Sequence, residues 1–441
     1  MAPPLHVLIV GGGLGGLATA IALRQKNIKV TVLEGAQKLG EVGAGIQVPP
    51  NSVRQLQRLG VDKELANAST WPGGIHIKRW KDGANLSTTR LGPVVEKDYG
   101  SPYWLIHRAD FHAILHKKAL EVGVNFLVNC FVTTIDAEAP SVTTKAGRVF
   151  EADIIIGADG VRSCVRSAII QEKDITITTG KVCVYRCLIP GEIMNNDPEL
   201  APYMHDPNAS WWVGPHAHVM AYPIRNGKFY NFNLTYEGLM TSGDVSEPVD
   251  IETIRERYVG WDPIIEKMLT KVASHLRWGL FQLEPLPTWV SSTGKVALLG
   301  DAAHAMLPFL AQGAAMAIED AVVLAECLST ARNTHDVPML LHLYEQLRKD
   351  RVTMIQEGSQ ETIRTWHLPD GPQQRARDCK LQSTINMVDD GPVFETRTRS
   401  SQQFPNSWND PVFQPWLFGF DAIANARTHL EKIDWNKTQQ I

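Results

Sequence analysis

The chain has 441 residues, of which 44% are hydrophobic and 20% charged, and its formal net charge is −4. This length allows two domains with sizeable cores, and the composition is typical of globular proteins. Lysine and arginine form neither a run nor a basic stripe, so we expect no nucleic-acid partner. The six cysteines suggest no disulfide framework and favour the reducing environment of the cytoplasm.

The uncharged stretch 5–23 is as long as a membrane span, but its sequence favours a different structure. It contains a glycine cluster and no lysine or arginine precedes it, which is typical of a buried strand and helix rather than of a signal peptide. No other stretch is long enough to cross a bilayer. We therefore expect no membrane partner.

The first predicted unit is a strand, a glycine-rich turn and a helix, with the sequence VLIVGGGLGGLATAIAL. The apolar run at its start is typical of a buried parallel strand. Gly11, Gly13 and Gly16 have the spacing G-x-G-x-x-G, and Gly15 lies in the same turn. Gly11 permits the tight turn, Gly13 lets a pyrophosphate approach the backbone, and Gly16 lets the helix pack closely on the strand. Because a helix N-terminus favours an anion, this unit predicts a dinucleotide site.

A second predicted strand, at 29–33, ends at Glu34, and Gly35 follows it. Glu34 comes eighteen residues after Gly16. An acidic residue at this place accepts hydrogen bonds from the ribose hydroxyls of an adenosine and repels a 2′-phosphate. We therefore place Glu34 and Gly35 at the adenosine end of the site.

Arg108 follows a predicted strand and precedes a predicted helix at 110–120, for which Asp110 suits the N-cap position. A guanidinium at such a junction can hold phosphate oxygens in a bidentate way, and the alternative is a surface salt bridge. Cys130 comes shortly after another predicted strand, at 124–128.

The sequence becomes β-rich from about 176 to 235, and a helical region follows near 248–274. Within GPHAHVMAYPI, His218 and Tyr222 are four residues apart on a predicted strand and therefore lie on one face. Both side chains can reach one ligand. The alternative is that Tyr222 is a core residue and His218 a buried histidine with satisfied hydrogen bonds.

A third glycine-rich box separates an FAD site from an NAD site. A buried strand at 296–299 leads to Asp301, and Gly313 and Ala314 open a helix of small residues. Asp301 can accept hydrogen bonds from ribityl hydroxyls, and the helix N-terminus can stabilise negative charge on a flavin pyrimidine. The alternative for Asp301 is a strand-end or N-cap residue. Together with a second box, DIIIGADG, this element predicts FAD as the cofactor.

The three boxes, in this order, resemble the class A (single-component) flavoprotein aromatic hydroxylases. The chain is most similar to salicylate hydroxylases, 6-hydroxynicotinate 3-monooxygenase and fungal phenolic-acid hydroxylases, over about residues 5–360. The resemblance implies an α/β fold with a Rossmann-like FAD-binding domain of the 4-hydroxybenzoate hydroxylase type and a mostly antiparallel β substrate domain. We expect the FAD-binding domain at 1–178 and 290–360, the substrate domain at 179–289, and a helical or extended tail at 361–441.

The resemblance also implies the reaction. NADH or NADPH, as co-substrate, reduces the flavin, O2 adds to give a C4a-hydroperoxide, and its distal oxygen attacks the ring of a small aromatic acid. Only one G-x-G-x-x-G is present, so the nicotinamide cofactor is expected to bind transiently near the flavin. A monomer or a homodimer is expected.

Several residues take expected roles from the same resemblance. Arg108 matches an arginine that binds the ribityl and pyrophosphate region, and Cys130 matches a residue that contacts the adenine end through backbone atoms. His218 and Tyr222 match a pair that flanks the substrate hydroxyl, where deprotonation to a phenolate makes the ring more nucleophilic. Gln47 departs from the pattern, because 6-hydroxynicotinate enzymes have a catalytic histidine there. Gln47 cannot act as a base, although it can hydrogen-bond the flavin or the substrate.

The segment MLPFLAQGA is most similar to the decarboxylating members of the family. We therefore expect hydroxylation at the carbon that bears the carboxylate, as in salicylate to catechol or 4-hydroxybenzoate to hydroquinone. The alternatives are a hydroxylase of another phenol or N-heteroaromatic that releases no CO2, an FAD oxidase or dehydrogenase, and a flavin-binding protein without turnover.

No metal site is expected. His112 and His116 are four residues apart on a predicted helix, but Ala113 stands where the metalloprotease pattern requires a glutamate. Two helical histidines without a third ligand are typical of a polar helix face. The same interpretation applies to His304 and to a pair of strand cysteines.

Overall fold

The computed structural model describes residues 5–40, 44–170, 175, 177–240, 245–383, 405–433 and 435. Its strands are β1 (His6–Val10), β2 (Lys29–Leu33), β3 (Gly45–Val48), β4 (Gly74–Arg79), β5 (Asn85–Arg90), β6 (Trp104–His107), β7 (Asn125–Leu127), β8 (Val132–Asp136), β9 (Ser141–Thr144), β10 (Val149–Glu151), β11 (Ile154–Gly157), β12 (Ile177–Pro190), β13 (Ala209–Gly214), β14 (Ala217–Ile224), β15 (Phe229–Glu237), β16 (Ser246–Glu247), β17 (Ser274–Leu283) and β18 (Val296–Leu298).

The α-helices vary from single turns to the thirty-residue α13. They are α1 (Leu14–Gln25), α2 (Pro50–Leu59), α3 (Asp62–Ala68), α4 (Pro93–Tyr99), α5 (Arg108–Glu121), α6 (Cys164–Ser167), α7 (Gly191–Asn195), α8 (Pro202–His205), α9 (Ile251–Arg257), α10 (Pro263–Leu269), α11 (Asp301–His304), α12 (Gly313–Ser329), α13 (Val337–Trp366), α14 (Pro372–Ser383), α15 (Phe413–Phe418) and α16 (Ala422–Leu430).

Five parallel strands form one sheet, in the order β18-β11-β1-β2-β7. β1 is buried from Val7 to Val10, and β11 is buried along its whole length. Such strands need covering on both faces, and the chain supplies helices between them, with α1 packed against both α5 and α12. The predicted Rossmann-like fold is confirmed.

A second, eight-stranded sheet has the order β16-β17-β12-β15-β14-β13-β4-β5. Each pair of adjacent strands in this sheet is antiparallel, except the pair of β13 and β4, which is parallel. The prediction of a mostly antiparallel second sheet is therefore confirmed. β4 and β5 come from 74–90, so the chain enters this sheet once before returning to it at β12. The proposed division at 1–178, 179–289, 290–360 and 361–441 stays a prediction.

The C-terminal tail packs back onto the rest of the molecule. The Trp408 ring centroid lies 4.4 Å from that of Trp211 in β13 and 6.3 Å from that of Trp366 at the end of α13. Arg351 of α13 donates to the backbone oxygen of Leu417 at 3.0 Å. The tail thus contacts both the substrate-side sheet and the helices of the parallel sheet.

The predicted N-cap of α5 is wrong. The helix begins at Arg108, and His107 is its N-cap, with Nδ1 accepting from the Ala109 N–H at 3.2 Å. Asp110 lies in the first turn instead, and its two oxygens accept from Arg225 at 2.6 and 2.7 Å. The Asp110 carboxylate therefore forms a long-range ion pair with Arg225 instead of capping the helix.

Candidate functional site

The glycine-rich turn after β1 is shaped by two close backbone contacts. Gly11 has φ of +106°, and a Cβ there would lie 2.3 Å from the Ala158 oxygen. A Cβ on Gly16 would lie 2.1 Å from the Gly11 oxygen. Gly13, at the N-cap of α1, has no atom within 4 Å of such a Cβ, so its outer side is open to a ligand. The three glycines thus have the geometry that the spacing predicts.

One cavity, of about 390 Å³, lies on the β2 side of this turn. Glu34 lines it, and its carboxylate oxygens accept from the Gly12 and Ala36 N–H groups, each at 2.8 Å. Gly35 and Cys130 also line it. The Cys130 backbone N–H donates to the backbone carbonyl oxygen of Glu34 at 2.8 Å, and the Cys130 side chain is buried. Because each carboxylate oxygen of Glu34 retains a second lone pair, it can still accept from a ribose hydroxyl.

A second cavity, of about 360 Å³, lies between the turn, the two loops that follow β18, and the eight-stranded sheet. It shares Gly13, Ala158 and Gly160 with the first cavity. The sequence-predicted residues that line it are Gly13, Gly15, Gln47, Arg108, Tyr222, Asp301, Gly313 and Ala314. These residues are far apart in the sequence, and the fold brings them to one site.

The two loops that follow β18 form the far end of this cavity. Gly300, with φ of +61°, is the N-cap of α11, and Asp301 is the first helical residue, exposed towards the cavity. Gly313 begins the seventeen-residue α12, whose N-terminal end also lines the cavity. Free N–H groups and the helix dipole there favour a negative ligand. The two cavities together could hold FAD, with its adenosine beside Glu34 and its flavin beside Asp301 and α12.

Buried ion pairs join α12 to α13. Glu319 and Asp320 are completely buried, and Arg348 of α13 pairs with both, at 2.7 and 2.8 Å. Asp320 also contacts His304 Nε2 at 2.6 Å and accepts from the Gly300 N–H at 3.1 Å. Burial acts to raise the pKa of Glu319, but the neighbouring arginines offset this effect and lower it. This network fixes the helix whose N-terminal end lines the second cavity.

Arg186, on β12, is a charged cavity residue that the sequence did not predict. Its guanidinium stacks over the Trp278 ring at 4.8 Å. Burial, together with the charge of Arg108, lowers the pKa of Arg186 to about 10. Among the described residues, no carboxylate forms a salt bridge with it. The half-buried Arg186 lines the cavity, so an anionic ligand would supply the missing partner.

Tyr222 and a glycine loop form the opposite part of the wall. Tyr222 is buried, and a Cβ on Gly45 would lie 2.5 Å from its ring, so the first residue of β3 packs directly on the tyrosine. Gln47 accepts a hydrogen bond from the Tyr103 hydroxyl and places Nε2 3.1 Å from Met220 Sδ. Burial raises the pKa of Tyr222, so the phenol is neutral at physiological pH.

His218 lies on the same face of β14 as Tyr222, but it takes part in different contacts. Its Nδ1 lies 2.8 Å from His367 Nε2, and its ring packs edge-on against Phe309 at 5.1 Å. Burial lowers the pKa of His218 well below its ordinary value, and His367 lowers it further. His367 follows α13 and was not singled out from the sequence, since nothing local marks a residue that pairs 149 positions away.

The remaining histidine candidates have structural partners. His112 Nε2 lies 2.7 Å from the Gly12 oxygen, and His304 belongs to the charge network of α12. Within the part of the chain that the structure describes, no three His, Cys, Asp or Glu side chains are grouped in a way that could hold a metal ion. None of the described helices combines the length and apolarity that a membrane span requires.

Residues 4–359 match the family model described as FAD binding domain. The chain is 34% identical to the FAD-dependent monooxygenase OpS4 of Beauveria bassiana over 96% of both chains. It is also 34% identical to a 3-hydroxybenzoate 6-hydroxylase of Klebsiella oxytoca, over 83% of this chain and 90% of that one. A solved salicylate hydroxylase substrate complex superposes with a TM-score of 0.77 at 25% identity, covering 96% of this chain and 97% of that one.

These matches agree with the geometry of the two cavities. They favour the expected monooxygenase over the alternatives of an oxidase and a flavin-binding protein without turnover. The chain belongs to the FAD binding domain family and, within it, to the FAD-dependent aromatic monooxygenases.

Proposed function

We propose that this enzyme hydroxylates a small phenolic acid, with NADH or NADPH as the reductant and O2 as the oxygen source. The observation that supports an acid is Arg186, a cavity cation without a carboxylate partner among the described residues. A substrate carboxylate would pair with it through charge-assisted hydrogen bonds, which are stronger than those between neutral groups. When bound, FAD supplies the oxygen-transfer chemistry.

The residues of the chain position the substrate for that chemistry. Arg186 holds the substrate carboxylate, and Tyr222 contacts the substrate ring on the side of β3. His218 and Tyr222 together favour the phenolate, which attacks an electrophilic oxygen faster than the phenol does. Asp301 and the N-terminus of α12 hold the flavin end of the cofactor, and Glu34 holds its adenosine.

Two outcomes are proposed for the carboxylate. Hydroxylation at the carbon that bears it would release CO2, giving catechol from salicylate or hydroquinone from 4-hydroxybenzoate, and the segment 306–314 (MLPFLAQGA) supports this course. The alternative keeps the carboxylate, and the 3-hydroxybenzoate 6-hydroxylase similarity supports it.

A panel of hydroxybenzoates, added singly to the holoenzyme, tests the proposal. We expect one or more to stimulate oxidation of NADH or NADPH several-fold, with a hydroxylated product identified by mass. Carboxyl-labelled substrate separates the two courses, because only the decarboxylating one releases labelled CO2. If no acid in the panel stimulates oxidation of either reductant, the proposed substrate class is wrong.

We further propose that the enzyme works in the cytoplasm as a monomer or homodimer. All six cysteines are free, and four of them are buried, which suits a reducing compartment. Fractionation of cells that produce the protein tests the compartment, and sedimentation of the holoenzyme tests the oligomeric state.

A further inference from the structure

A row of polar side chains connects His218 with the protein surface. His218 Nδ1 lies 2.8 Å from His367 Nε2, and His367 Nδ1 lies 3.3 Å from Glu237 Oε1. The other Glu237 oxygen lies 2.9 Å from Nδ1 of His216. The side chain of His367 is 2% exposed, whereas those of Glu237 and His216 are 46% and 62% exposed. The row therefore begins in the interior and ends in water.

The inner end of the row is next to the cavity. On β14, His218 is two residues from Met220, so both point to the same face of the strand, and Met220 lines the cavity. The ring of His218 also packs against Phe309, whose neighbour Pro308 is another cavity residue. A substrate group at this edge of the cavity is therefore close to His218.

The hydrogen bonds determine which nitrogen atoms carry protons. A carboxylate can only accept a hydrogen bond, so His367 donates from Nδ1 to Glu237. Burial lowers the pKa of His367 to about 4, which makes its ring neutral and leaves Nε2 as an acceptor. His218 must then donate from Nδ1 to that Nε2. Because His218 is also neutral, its Nε2 has a free lone pair.

We propose that His218, His367 and Glu237 form a proton path between the substrate and the solvent. This inference rests on the proposed function, and it gives His367 and Glu237 roles that the sequence did not predict. The phenolic O–H bond breaks as His218 Nε2 takes the proton. The Nδ1 proton of His218 passes to His367 Nε2, and the Nδ1 proton of His367 passes through Glu237 to water.

The path also accounts for the reset of the site. When the hydroxylated product takes up a proton, the same three transfers run in reverse and restore both histidine tautomers. The ionisable side chains whose charges act on the pKa of His367 are Glu237, His216 and Arg377. Of these three side chains, only Glu237 is a carboxylate, so Glu237 is the group that can accept the proton. Arg377 forms its ion pair with Asp378.

The test follows proton release when 4-hydroxybenzoate binds to the oxidised holoenzyme. Stopped flow records an indicator dye for the released proton, the ultraviolet change of the phenol for its ionisation, and the flavin absorbance for binding. In Glu237→Gln the amide oxygen still orients His367 but cannot pass the proton on. We expect release to slow about tenfold or more, with the dissociation constant unchanged within about twofold. Formate, as a small base, should partly restore the rate.

Two further variants complete the test. His367→Gln should slow release at least as much, and the exposed Glu284→Gln, which lies outside the row, should behave as the parent enzyme. Normal release rates in Glu237→Gln, with binding intact, would overturn the path while leaving the proposed function in place. Failure of the parent enzyme to bind 4-hydroxybenzoate or any other hydroxybenzoate would instead overturn the proposed function, and the path with it.

Discussion

Among the side chains of the flavin cavity, Arg186 carries a full charge that no carboxylate of the described residues neutralises. Its place on β12 could not be assigned from the sequence, since VYRCLIP shows one charged residue in an apolar strand but not which face it occupies. The role of Gly45 could not be predicted either, because its close contact with Tyr222 depends on how β3 packs against the distant strand β14. The glycine boxes, by contrast, follow local strand–turn–helix patterns, so the place of their residues in the fold could be predicted.

Replacing Arg186 tests whether this side chain binds the carboxylate of the substrate. A charge-assisted hydrogen bond contributes roughly 1.5–3 kcal/mol, so Arg186→Gln should weaken binding of the preferred aromatic acid by about 10- to 100-fold. Binding of the corresponding carboxamide should change little. Isothermal titration of the holoenzyme measures both. Arg364→Gln, at an exposed position of α13, is the matched control. Equal losses for the acid and the amide would contradict the assignment of a carboxylate partner.

At the scale of elements, α12 couples cofactor binding to packing. Its N-terminus faces the flavin site, while Glu319 and Asp320, on its buried side, pair with Arg348 and Arg351 of α13. The sequence predicted the helix and its N-terminus because small residues follow Gly313. It did not predict the ion network, since the partners lie about thirty residues further along the chain and local pattern does not indicate them.

Glu319→Gln should destabilise the protein by about 3–5 kcal/mol, because it leaves two buried arginines short of one negative charge. Urea unfolding of the apoprotein measures this loss. Glu64→Gln removes an exposed pair with Lys117 and should leave the unfolding midpoint unchanged. A Glu319→Gln variant as stable as the parent protein would mean that the network does not fix α12.

At the scale of the whole molecule, folding joins segments that the sequence presents as separate. β4 and β5 enter the eight-stranded sheet more than a hundred residues before β13, with which β4 pairs. The C-terminal tail contacts the eight-stranded sheet through Trp408 and helix α13 through Leu417. Such pairings depend on long-range register rather than on local motifs. The fold class could therefore be predicted, but the contacts between its distant parts could not.

Stability should depend on pH through His367. Burial lowers the pKa of His367 from 6.5 to about 4, so the unfolded chain binds more protons between these values. This contribution to stability is complete above pH 6.5 and is lost as pH falls towards 4, by up to about 3 kcal/mol. His367→Gln should flatten the curve of unfolding free energy against pH in that window. Parallel curves for the variant and the parent protein would contradict the burial of a neutral imidazole.

The source of the oxygen atom in the product tests most directly whether this enzyme is a monooxygenase of phenolic acids. The holoenzyme, the reductant and the hydroxybenzoate that best stimulates its oxidation are incubated under ¹⁸O2, and the aromatic product is analysed by mass spectrometry. We expect one ¹⁸O atom per product molecule. We also expect that product to be lost when FAD is removed and to return when FAD is restored. An aromatic product that contains oxygen from water, or reductant oxidation that yields only hydrogen peroxide with every acid, would contradict the proposed function.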